Sequence, residues 1–96
     1  PQEREGLYIG ALDEAFVSTA FSFALKLRKF CKTQISYEPK SLAKHLKAAD
    51  GAEAKFCLCI GQDEFDRAEV WCKNLEEQTN FAIKFKEVEA FFKDRA

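Results

Sequence analysis

The sequence predicts a three-layer α/β/α fold, in which a mixed five-stranded sheet lies between three helices. Three observations lead there. Apolar residues recur at helical spacing in residues 14–31, in residues 41–49 and again near the C-terminus. Short apolar or alternating runs stand before, between and after these stretches, giving the order β-α-β-α-β-β-β-α. Strands joined through helices pair in parallel by right-handed crossovers, which puts helices on both faces of the sheet. At 96 residues the chain is long enough for one continuous core and too short for two, so residues 1–96 are expected to form one domain.

Gly6-Leu7-Tyr8-Ile9-Gly10 is the first strand, and Asp13 is a good cap for the helix expected over 14–31. Phe16, Ala20, Phe23, Ala24, Leu27 and Cys31 share one face of that helix, with Ser18, Ser22, Lys26 and Lys29 opposite. Val17, Phe21 and Leu25 spill beyond this stripe. Either a neighbouring element covers them, or Phe21 and Leu25 form an inter-domain docking patch. The second strand, 33–37, ends before Pro39, which has no N–H to give a sheet ladder. Ser41 caps a shorter helix with Leu42, Leu46 and Ala49 on its apolar face and Lys44 and Lys47 pointing away. Residues 54–60 form a nearly unbroken apolar run, the pattern of a strand covered on both sides, and Gly61 ends it.

Ala68, Val70 and Cys72 alternate with Glu69, Trp71 and Lys73 in a fourth strand. The short link 62–67 allows a hairpin and hence an antiparallel neighbour. After a turn at 74–78, Phe81-Ala82-Ile83 is a last short strand, and Phe85, Val88, Phe91 and Phe92 mark a C-terminal amphipathic helix.

Hydrophobic residues make up 47% of the chain and charged residues 32%, the balance of a folded domain and not of a disordered segment. Fifteen basic residues against sixteen acidic leave a net charge of −1, so a nucleic-acid site has to be a local patch. No apolar run reaches the roughly 18–20 residues needed to cross a bilayer, and Pro1-Gln2-Glu3-Arg4-Glu5 lacks a secretory pattern. A cytoplasmic location without membrane partners is expected. Cys57, Cys59 and Cys72 sit inside apolar runs and Cys31 ends an apolar helix, so buried reduced thiols fit better than disulfides.

In sheets of this kind ligands collect at the carboxyl ends of the parallel strands, here residues 10–13, 37–41 and 61–64. No Gly-rich phosphate loop follows any strand, and each glycine turn carries an acidic residue, which argues against mononucleotide binding. Lys40, Lys44 and Lys47 cluster at the start of the second helix, where free backbone N–H groups add to their charge. They form either an anion site or a solvated face. Asp63 and Glu64 are either a catalytic pair or acceptors for the amino groups of bases, and pattern alone leaves both open. His45, the only histidine, flanks the apolar face of its helix with no nucleophile or orienting carboxylate patterned near it, so it is assigned no acid–base role. Cys57-Leu58-Cys59 has the spacing of neither a redox helix nor most zinc sites, and no metal site is expected.

Three segments together resemble the anticodon-binding domain of histidyl-tRNA synthetases, in the class II group that includes the prolyl, threonyl and glycyl enzymes. Ser41-Leu42-Ala43-Lys44-His45-Leu46-Lys47-Ala48-Ala49-Asp50 is similar to the family's Ser-Leu-x-Lys-Gln-x-Lys-x-Ala-Asp helix. Ile60-Gly61-Gln62-Asp63-Glu64 resembles its Ile-Gly-Glu-Asp-Glu strand end, and Val70-Trp71-Cys72-Lys73-Asn74-Leu75 its Val-x-Val-Lys-Asn-Leu strand. Each motif is short, but their order and spacing cover nearly the whole chain. His45 stands where the family has Gln, and the turn around Glu76 lacks the usual Gly, which marks a divergent member.

The resemblance implies a five-stranded mixed sheet in which Glu64 and Lys73 approach anticodon bases. Glu64 would accept from a base amino group and Lys73 would donate to guanine O6 or N7. Gln62 joins them, and Tyr37 or Trp71 would stack on an unpaired base. Lys40, Lys44 and Lys47 would then hold phosphates. It also implies a homodimeric parent enzyme that ligates histidine to its tRNA using ATP and magnesium, with none of that machinery in these residues. The Pro1 start fits a domain cut from the C-terminus of such a chain, with no catalytic residue and no cofactor of its own. Its expected partners are the tRNA(His) anticodon stem-loop and the parent's catalytic domain. The alternative is a protein-interaction or regulatory module of the same fold without tRNA binding. Exposed Phe21 and Leu25 would favour that alternative, and a positive surface of lysines 40, 44 and 47 beside Glu64 would favour tRNA.

Overall fold

The computed structural model describes residues 3–95, so Pro1 and the outer ends of the expected 1–96 domain lie outside the described residues. Five strands, β1 (Leu7–Ala11), β2 (Thr33–Ile35), β3 (Phe56–Ile60), β4 (Glu69–Asn74) and β5 (Thr79–Lys84), form one sheet in the order β2-β1-β3-β4-β5. β1 is parallel to β2 and β3, and β4 is antiparallel to β3 and β5, the mixed sheet that the element order predicts. Every residue of β1 and β3 is buried, because helices cover both of their faces.

Four helices accompany the sheet: α1 (Val17–Leu27), α2 (Leu42–Gly51), α3 (Gln62–Asp66) and α4 (Val88–Phe92). On one face, Phe16, Ala20, Ala24 and Leu27 of the first helical segment join Val88 and Phe92 of α4 over Leu7, Ile9, Leu58, Ile60, Val70 and Ile83. The two alanines are fully buried, so α1 lies close against the strands. On the other face α2 sets Ala49, with Leu42 and Leu46 beside it, over Tyr8, Cys57 and Cys59.

Three expectations need correction. The first helix does not run over 14–31. Asp13 caps a single 3-10 turn, Glu14–Phe16, accepting from the Ala15 N–H at 3.2 Å, and α1 ends at Leu27. Phe30 N donates back to Leu27 O at 3.0 Å, a three-residue step that tightens the last turn and swings the chain toward β2. Cys31 therefore lies past the helix. The second strand stops at Ile35, so Tyr37 falls in the following loop. The link at 62–67 is a helix, α3, and not a bare hairpin, which makes the helices four where three were expected. Its five residues are too few to show a period, and its one large apolar residue, Phe65, is exposed.

Candidate nucleic-acid interface

The three segments expected at the ligand edge do meet there. Leu12 N donates to Ile60 O at 2.9 Å, Ser36 N to Ile9 O at 3.0 Å and Lys40 N to Ala11 O at 3.2 Å, so the exits of β1, β2 and β3 are tied to one another. Lys40 is half-buried in this seam. Ser41 caps α2 by accepting from Lys44 N at 3.3 Å, and Lys44 and Lys47 stand exposed on the outer side of that helix.

Glu64 closes the same edge from α3, and both of its oxygens are engaged. One accepts from Gly61 N at 2.8 Å, reaching back to satisfy the start of its own helix, and the other receives the Arg67 guanidinium at 3.4 Å. Its side chain is 16% exposed. A Cβ at residue 61 would lie 2.9 Å from the Leu12 side chain and 3.0 Å from the Glu64 carboxylate, so a glycine lets the two segments approach. Arg67 also donates through Nε to Glu69 at 2.8 Å, and Lys84 lies 3.7 Å from Glu69. The Arg67 hydrogen bond holds the Glu69 carboxyl below its ordinary range, with Lys84 assisting. Arg67 was not singled out by sequence, although it stands three residues after Glu64 on one helical face. Gln62 is exposed and donates to Asp66 at 2.8 Å.

Trp71 and Lys73 share the α2 side of β4, where Trp71 faces Cys59 and Ala82 and Lys73 faces Cys57 and Asn80. Trp71 packs its inner part against the α2 core and leaves the rest open. Exposed Asn80 is a further polar group beside Lys73, legible only once the hairpin register is known. Lys73 pairs three residues back along β3 from Ile60, which places it about 10 Å from the edge that holds Glu64.

Tyr37 belongs elsewhere. It is 67% exposed and its ring centroid lies 6.2 Å from that of Phe21 on α1. β2 and β4 are three strand spacings apart, so Tyr37 and Trp71 are separated by about 14 Å across the sheet alone. Phe21 is 37% and Leu25 50% exposed, so neither the sheet nor a helix covers them. Val17, Phe21 and Tyr37 line a shallow depression at this corner.

His45 is not at the margin of the α2 face but at its centre, with no exposed surface. Burial, reinforced by the charge of Lys40 and opposed by its contact with Ala11 O, lowers its pKa. The four cysteines are free, and burial raises the pKa of Cys31 and Cys72, which keeps both as unreactive thiols.

A family model described as "Anticodon binding domain" matches residues 6–95. The histidine–tRNA ligase of Campylobacter lari is 48% identical over 88 residues, covering 92% of this chain and 22% of that protein. That of Campylobacter fetus is 45% identical over 89 residues, 93% of this chain and 22% of the relative. The chain thus spans about a fifth of the length of these relatives. A histidyl-tRNA synthetase structure from Nostoc superposes on all of this chain and 22% of its own, with a TM-score of 0.83 at 21% identity, a likeness of fold. The chain belongs to the anticodon-binding domain family.

Proposed function

We propose that this chain recognises the anticodon stem-loop of histidine tRNA as the C-terminal domain of a histidine–tRNA ligase. The observation that carries this reading is the convergence of three strand exits with the exposed lysines of α2 on one flank and the Glu64–Arg67 pair on the other. Lys40, Lys44 and Lys47 hold backbone phosphates, and base edges meet the strip formed by Gln62, Glu64, Trp71 and Lys73. Trp71, with one edge packed and one open, is the stacking platform of that strip. Tyr37, on the far side of the sheet, joins it only if the loop bends around the edge of α2.

Residues 1–96 act as one domain of a longer, cytoplasmic, homodimeric enzyme that joins histidine to tRNA with ATP and magnesium. Those groups belong to the rest of the enzyme. The exposed Phe21, Leu25 and Tyr37 corner docks the parent's catalytic domain. The same corner supports the rival reading, a protein-interaction or regulatory module without RNA binding.

The test is a titration of anticodon stem-loops that differ only in the anticodon. Glu64→Ala is expected to cost about 1–3 kcal/mol against the cognate loop and little against a mismatched one. Because Glu64 also supports Gly61, Glu64→Gln serves as the control that keeps an acceptor for that N–H while removing the charge. Lys44→Ala should weaken all loops alike and flatten the log–log salt slope by roughly 0.7–0.9. Equal losses for both anticodons in the Glu64 variants would remove Glu64 from base reading. Failure of the wild type to bind any loop would leave the rival reading in its place.

A further inference from the structure

We propose that His45 is the positioning residue of this interface: one buried imidazole pins α2 to β1 at the same carbonyl that holds the loop after β2, and so sets where Lys40, Lys44 and Lys47 stand. The proposal rests on the reading of those lysines as phosphate contacts. Its geometry is independent of that reading.

Ring nitrogen Nε2 lies 2.6 Å from Ala11 O, the last carbonyl of β1. A carbonyl oxygen only accepts, so Nε2 carries the proton and donates. In the neutral ring Nδ1 is then an acceptor, and the Tyr8 hydroxyl, 3.0 Å away, donates to it. Ala11 O also accepts the backbone N–H of Lys40 at 3.2 Å. One carbonyl therefore gathers the α2 side chain and the loop that leads into α2. The space for the ring comes from Gly10, where a Cβ would lie 2.3 Å from the imidazole.

Both polar atoms of a fully buried ring are satisfied, each by a different part of β1, so the ring has one favourable seat. Three elements pack against it. β1 presents Tyr8, the loop presents Lys40, and Ser36 of that loop acts on the Tyr8 hydroxyl together with Cys57 and Cys59 of β3. None of these is an anion that would hold a protonated ring. Loss of the clamp frees the start of α2 to shift on an otherwise small apolar face, and the lysines shift with it.

His45→Ala and His45→Gln should be compared with the wild-type chain where circular dichroism shows all three folded. Glutamine can donate to Ala11 O and accept from Tyr8, whereas alanine can do neither. The probe is the histidine-tRNA anticodon stem-loop, together with amide hydrogen exchange at Lys40. His45→Ala is expected to bind about tenfold more weakly, with a flatter salt slope and faster exchange at Lys40, and His45→Gln to restore all three. Wild-type affinity in His45→Ala, or equal losses in both variants, would overturn the proposal. If the wild type binds no stem-loop, the anticodon reading fails by itself. Exchange at Lys40 still decides on the clamp, since an unchanged rate in His45→Ala overturns it.

Discussion

The two faces of the sheet are built from different materials. Under α1 and α4 the core is aliphatic and aromatic but for Cys72, and the Phe56 ring meets Phe92 edge-on at 5.1 Å. Under α2 the strands offer Tyr8, two cysteines and a half-covered Trp71, with a histidine at the centre. The first face carries most of the apolar area removed from water and so most of the stability. The second gives up area for hydrogen bonds of defined direction, and direction is what a charged surface helix needs in order to stand at one place. Stability and placement are thus divided between the faces.

The division is broken or sharpened most strongly by truncation on each side. Phe92→Ala, under α4, is expected to cost about 3–5 kcal/mol in chemical denaturation, whereas Leu46→Ala, on the α2 side, should cost about 1–2 kcal/mol because the leucine is only partly buried. Equal costs would erase the distinction. Acid should act through the α2 face first. Neutral His45 is favoured in the folded state, so its contribution is complete above the ordinary value near 6.5 and is lost as pH falls toward its depressed folded pKa. The unfolded chain takes up at most one more proton there, a slope of at most about 1.4 kcal/mol per pH unit. Denaturation at several pH values should show this slope in the wild type and lose it in His45→Gln. The contribution of Glu69 has the same sign but a lower window, fading as pH drops below the ordinary carboxylate value of 4.5.

The smallest effect belongs to neither face. Ala68, in the turn between α3 and β4, has φ of 52°, the left-handed region that disfavours a Cβ. Ala68→Gly is expected to raise stability by about 0.5–1 kcal/mol in the same assay, a gain that leaves the core untouched.

The sequence carried the α1 side of the molecule in its periodicity: Phe16, Ala20, Ala24 and Leu27 recur as a helix stripe, and residues 54–60 read as a strand covered on both sides, of which 56–60 form β3. Strand count and sheet type followed. What it did not carry was decided by short-range and cross-chain bonds. Five residues of α3 have no period, and the end of α1 depends on a backbone step at Leu27. The candidate site was legible as positions and not as an arrangement. Lys40, Lys44, Gln62 and Glu64 stand at the predicted edge, but three strand spacings separate Tyr37 from Trp71, a distance that residue pattern does not contain. The engagement of both Glu64 oxygens needed Arg67 to be seen beside it. By periodicity His45 is one marginal residue on a helix, because its partners, Tyr8, Gly10 and Ala11, are more than thirty residues away in the chain.

That last distance has a consequence for how this sequence can change over generations. Gly10 and His45 share one volume, since any Cβ at residue 10 would lie within 2.3 Å of the ring. Substitutions at the two positions are therefore accepted in only one order. While a ring occupies position 45, every replacement of Gly10 drives a Cβ into that ring. Once a narrower side chain has taken the place of the ring, residue 10 is released, and a return to histidine is closed for as long as the new Cβ remains.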